Sequence, residues 1–122
     1  MKYHDYSLEG YSVRNHGALI TLYLSLGSES SEIEFSDVIL HHIIHTGGAV
    51  ITDIAEVPVA RLVLEKKDMI SEWWRQHGGI QHWNDDHSRF SSTLTSLGYR
   101  SWSIGSAIGF EAFIIGKEIR QK

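Results

Sequence analysis

The chain contains no cysteine, one proline and, between Arg14 and Arg61, no lysine or arginine at all. Each absence excludes something. Without cysteine there is no disulfide framework, no thiol nucleophile and no thiolate zinc site, and a reducing compartment suits the chain. The cation-free stretch argues against phosphate binding, which needs clustered Lys and Arg. No run approaches the roughly 18 apolar residues of a membrane span, and MKYHDYSLEG lacks the apolar centre of a signal peptide. The expectation is a cytoplasmic protein that binds neither membrane nor nucleic acid. No P-loop or dinucleotide fingerprint is present. GSAIG at 105–109 has a serine between glycines but not the G-x-S-x-G order of a nucleophile elbow.

What is present is a chain of 122 residues, one domain by length. Four Trp, five Tyr and four Phe can fill a core. Charge is unevenly laid out. Residues 1–57 carry eight acids against Lys2 and Arg14, a balance of −6, while residues 58–122 carry seven acids and nine bases, a balance of +2. An acidic half favours a basic protein partner.

Hydrophobic periodicity gives the elements. Residues 18–26 alternate, with Ile20, Leu22, Leu24 and Leu26 on one face. In Glu32–Ser36, Ile33 and Phe35 point inward and Glu32, Glu34 and Ser36 outward. Asn15-His16-Gly17 is a turn signal. Asp37–Glu56 holds two β-branched runs joined by Gly47-Gly48, the pattern of a tight hairpin in which Ile44 faces Ile51 and His42 faces Asp53. Pro58 fits the start of a helix running to His77 and ended by Gly78-Gly79. Its apolar stripe is Val59, Leu62, Val63, Met69, Ile70, Trp73 and Trp74. Residues 78–98 have turn composition, and Phe90–Leu97 fits a short strand or a loose helical turn equally. Tyr99–Ile104 and Ile108–Ile119 read as strands separated by a Gly105-Ser106-Ala107 turn. The expected fold is α+β: an antiparallel meander sheet of about six to seven strands with one long helix, about 58–77, on one face.

Eight histidines invite a metal reading. His41 and His45 would stand about 13 Å apart on a strand at roughly 3.3 Å per residue, too far to share one ion. A loop could gather His82, Asp86 and His87, but their spacing follows no zinc pattern. The expectation is no metal, no cofactor and no catalytic residue.

The stretches YHDYSLEGYSV, ALITLYLSL, EIEFSDV and AVITDIAEV resemble small bacterial β-rich proteins among the immunity-protein-like families. The resemblance spans about residues 3–57 and implies an inhibitor of a cognate toxin, with no catalytic residues. Together with the charge layout it gives the functional expectation: a non-catalytic protein-binding domain, an immunity protein neutralising a basic toxin. Glu29, Glu32, Glu34 and Asp37 would steer the partner, and Trp83, if exposed beside Asp85 and Asp86, would anchor it. Two alternatives are a self-associating structural domain that forms a homodimer and a protein with a small-molecule pocket between helix and sheet.

Overall fold

The computed structural model describes residues 3–122, apart from the side chains of residues 46–49, 52 and 107–110. It is an α+β fold. The strands are β1 (Ser7–Arg14), β2 (Leu19–Leu26), β3 (Glu29–Ser36), β4 (Leu40–Val57), β5 (Arg100–Gly116) and β6 (Glu118–Gln121), with helices α1 (Val59–His77) and α2 (His87–Ser96) between β4 and β5. All pairings are antiparallel, in the order β5-β4-β1-β2-β3-β6.

β2 and β3 form where alternation is cleanest. Ile20, Leu22, Leu24, Ile33 and Phe35 are all buried on one face, and register pairs Ile20 with Phe35 and Leu22 with Ile33. The Asn15-His16 turn between β1 and β2 adopts left-handed backbone at φ 54° and 56°, the geometry a primed hairpin turn demands.

The hairpin at Gly47-Gly48 is not formed. β4 is a single strand that pairs along both its arms with β5: Ile44 lies opposite Glu111, His42 opposite Phe113, and Asp53 opposite Gly105. The local geometry of Gly47 and Gly48 lies outside the described residues, but the pairing on either side rules out a turn. The ladder's register shifts between His45 and Val50 and again up to Asp53. Glycines among β-branched residues can mark a bulge in a long strand as well as a turn. Here the bulge reading wins, because a distant strand offers both arms a partner. The bulge also flips the alternation, so Ile51 and Ile54, three apart, both reach the same core. The expected turn at 105–107 fails for the same reason: β5 runs through it.

β5 and β6 stand at opposite ends of the strand order yet are separated in sequence by Lys117 alone. The sheet must therefore curl until its ends meet. At that corner the Lys117 amide donates to the Ser36 carbonyl at 3.0 Å, and the Ile39 amide donates to the Ile115 carbonyl at 2.9 Å. Gly116 is needed there: a Cβ on it would lie 3.0 Å from the Ser36 carbonyl oxygen and 3.3 Å from Val38.

Curling creates two cores. Inside the sheet, Leu8, Ile20, Leu22, Leu24, Ile33, Phe35, Ile51, Ile54, Trp102, Ile104 and Ile114 pack together, sealed at one end by Tyr3. On the outside of β4 and β5, Phe113 and Ile115 meet Val59, Leu62, Val63 and Ile70 of α1 and Phe90 and Leu94 of α2. Of the expected α1 stripe, Trp73 is half-buried but Trp74 is exposed, so the stripe is narrower than the sequence suggested. Pro58 precedes the first turn of α1, and Gly78, at φ 66°, ends it by donating its amide to Trp74.

Residues 90–97, left open between a short strand and a loose helical turn, are, up to the C-cap Leu97, part of a second helix, α2. Its Ser/Thr-rich sequence has poor intrinsic propensity. It is held by Asp86, whose carboxylate accepts the Arg89 amide at 3.1 Å, and by the packing of Phe90 and Leu94, four apart. No helix among the described residues is long and apolar enough to cross a membrane.

Two stability measurements follow. Gly116→Ala crowds the Ser36 carbonyl and Val38 and should destabilise the protein by about 1–3 kcal/mol in urea unfolding, the usual cost of overpacking, whereas Gly10→Ala, with nothing within 4 Å of its Cβ position, should cost well under that. The second concerns Glu56, which receives a two-pronged hydrogen bond from Arg100, at 3.0 Å from Nε and 2.6 Å from Nη2. That bond holds the Glu56 carboxyl below the usual carboxylate range. A carboxyl titrating lower in the native state than in the unfolded chain stabilises above the unfolded pKa, and loses this as pH falls through the native value. Both groups are more than a third exposed, so screening reduces the effect. Glu56→Gln should cost under about 1 kcal/mol near neutral pH, and its urea midpoint should converge on wild type in acid.

Candidate functional site

The helices cover the outside of β4 and β5. The outside of β1–β3 carries a different set of side chains. Glu32 and Glu34 alternate with the buried Ile33 and Phe35, and pair across β2 with Tyr23 and Thr21. Ser25 donates to the Glu9 carboxylate, and the Ser12 and Tyr23 hydroxyls share a hydrogen bond at 3.0 Å. These lateral bonds tie together the side chains of a hydroxyl- and carboxylate-bearing face. The strands beneath contribute only one cation, Arg14, at the end of β1.

The expected steering acids do not form one free cluster. Glu32 is exposed on the face. Glu34 is bound at 2.6 Å by Lys122, the residue just after the neighbouring β6, and this contact lowers its pKa. Cations from the far end of the chain therefore border the anionic stretch, which charge counting by halves could not reveal. Glu29 sits at the rim and accepts the Tyr6 hydroxyl at 3.0 Å, raising the Tyr6 pKa. Asp37 follows β3, exposed and at φ 51°.

Asp37 opens onto a cleft of about 430 Å³ lined by Asn15, His16, Asp37, Ile39, Gln81 and Tyr99, among others. Four separate segments meet there: the β1–β2 turn, the β3–β4 connection, the α1–α2 linker and the residue before β5. The Val38 amide bonds the Ala18 carbonyl at 2.9 Å and ties the first two together. Sequence reasoning missed Gln81 and Tyr99 because nothing local connects them to Asp37. It found Asn15 and His16 only as a turn.

The second expected group takes structural roles. Trp83 is 6% exposed, with its ring edge-on to Phe90 at 5.2 Å. It is a core residue, and its role as an exposed anchor, for a partner or for a homodimer, is overturned. Its burial reflects the need to cover Phe90 beneath the linker. The indole Nε1 is buried with no hydrogen-bond partner among the described residues. Asp85 accepts the Ser71 hydroxyl at 2.6 Å, tying the linker to α1, and Asp86 caps α2. Asp86 is thus already engaged, and His82 and His87 are not brought with it into a metal-binding group; no such group occurs among the described residues.

The histidines of β4 also find structural surroundings. His42 lies against Trp73 and Phe113, with ring centres 5.2 and 5.8 Å away. Burial, and to a lesser degree the neighbouring His42, pushes the His41 pKa down.

The chain matches no protein-family model, no curated protein and no solved structure.

Trp83→Ala separates the core role from an anchor role. It should cost about 3–5 kcal/mol of stability, as large-to-small aromatic substitutions in cores do. A variant that unfolds at the wild-type urea midpoint would show that the indole is not part of the core.

Proposed function

We propose that this chain is a protein-binding domain that presents the outer face of β1–β3 to a basic partner. The observation that carries the reading is the one-sided placement of the helices. They cover β4 and β5, while β1–β3 carry Glu9, Glu32 and a row of hydroxyls outward. A rigid, laterally bonded face costs little ordering entropy on binding. Its carboxylates accelerate encounter with a cationic surface more than they deepen affinity. Arg120 on β6 and Lys122 just beyond it set one boundary of the face: Lys122 is paired with Glu34, and Arg120 lies opposite Glu34 in the ladder.

Within this reading the partner is the basic domain of a toxin, which the chain occludes as a bacterial immunity protein acting in the cytoplasm. Two things support it. The stretches that resemble immunity-protein-like families fall on β1–β4, which include the three strands bearing the face. The acids of those strands also outnumber their cations. The acting residues are then Glu9 and Glu32, with Asp37 at the edge; Glu34 and Glu29 are partly engaged within the fold.

Where a gene adjoining this one encodes a basic protein, that protein is the partner for the test. Reversing Glu9 and Glu32 together to lysine should slow association by about tenfold at low salt. The wild-type on-rate should fall as salt rises, while the reversed variant's should not. An on-rate indifferent to both reversal and salt would remove the face from the reading.

A further inference from the structure

We infer that the cleft at the end of β3 is a socket for an arginine side chain of the bound partner, with Asp37 as the carboxylate that receives its guanidinium. The inference rests on the protein-binding reading above and deepens it. Three observations carry it.

The first is the lining. Asn15, His16, Asp37 and Gln81 all face the 430 Å³ cleft, and none has a side-chain hydrogen bond or ion pair among the described residues. The volume suits a long side chain, not merely a water. Among the described residues of the lining, Asp37 is the one carboxylate, and no Lys or Arg lies with it. A guanidinium has five donors and no acceptor, and it pairs with a carboxylate by two parallel bonds. The amide oxygens of Asn15 and Gln81 supply further acceptors.

The second is the ring. Tyr99 forms part of the wall, and the chain's own Lys117 ammonium already rests over that ring, 5.0 Å from its centre. The ring thus already engages one cation, with which an incoming guanidinium would compete. Guanidinium stacks on an aromatic face where ammonium acts as a point charge.

The third is backbone. Asn15, His16 and Asp37 hold left-handed conformations, at φ 54°, 56° and 51°. Asn and Asp tolerate this region better than most residues. Glycine would hold it without steric cost. At Asp37 the fold thus keeps a carboxylate where its backbone would accept glycine.

Amide-resolved titration tests the socket, using Nα-acetyl-arginine methylamide as probe and the matching citrulline compound as its uncharged shape. The arginine probe should give saturable shifts at residues 37–39, 81 and 99, and the citrulline probe should not. Asp37→Asn keeps the left-handed preference and removes the charge; it should weaken the arginine probe by about tenfold. Lys117→Gln removes the internal rival and should tighten it. Equal response to citrulline, shifts spread evenly over all surface acids, or an unaltered Asp37→Asn variant would overturn the socket. Free arginine binding much more tightly than the blocked probe would also overturn it, since the site would then be built for a small molecule. The Glu9 and Glu32 reversals lie outside the cleft. A variant carrying them that binds the probe normally, in a protein whose association ignores those reversals, sinks the face and leaves the socket standing.

Discussion

The corner between β5 and β6 governs this fold. One residue separates two strands that lie at opposite ends of the sheet, and Gly116, having no side chain, leaves room there for the close approach of the Ser36 carbonyl and Val38. Two backbone hydrogen bonds, Lys117 to Ser36 and Ile39 to Ile115, hold the corner. Everything larger follows from it. The sheet curls, so one face becomes an interior lined by Ile20, Leu22, Ile33, Phe35 and Trp102. The long ribbon of β4 and β5 changes register between His45 and Asp53. Its outer face carries Phe113 and Ile115, which would be bare without α1 and α2. The helices go where that apolar surface is, leaving the outside of β1–β3 to acids and hydroxyls.

That division explains the charge pattern physically. Strands whose outer face is covered need apolar residues on both sides, and β4 accordingly lacks a clean polar face. Strands covered on one side alternate, as Glu32-Ile33-Glu34-Phe35 does. The anionic outer face is thus the uncovered half of a two-sided packing problem. Its acids are not equivalent, however. Glu34 leans on Lys122, and Asp85 and Asp86 hold the linker and α2 in place. Asp37 stands apart, with no partner among the described residues and a shaped cleft in front of it.

Local pattern revealed what local physics decides. β2, β3 and α1 were legible because their periodicity, Pro58 and Gly78 act within a few residues. The Gly47-Gly48 hairpin misled because a double glycine serves a turn or a bulge, and the choice depends on β5, some sixty residues later. α2 was hidden by its serines and threonines, although Asp86 as a cap and the Phe90–Leu94 spacing were there to be read. The site followed the same rule. The acids could be named from sequence, but not which were engaged, because Lys122 and Ser71 arrive from elsewhere. Trp83 looked like an anchor because it neighbours two aspartates, and only the position of Phe90 shows why it is buried.

Hydrogen exchange at the corner tests this account most directly. If closure organises the fold, the Lys117 and Ile39 amides exchange only with global unfolding, as slowly as the amides of Leu22 and Ile33 in the central strands. Rapid exchange at Lys117 and Ile39, while the β2–β3 ladder stays protected, would mean that the sheet is open at that end. The corner would then be a consequence of the fold and not its cause.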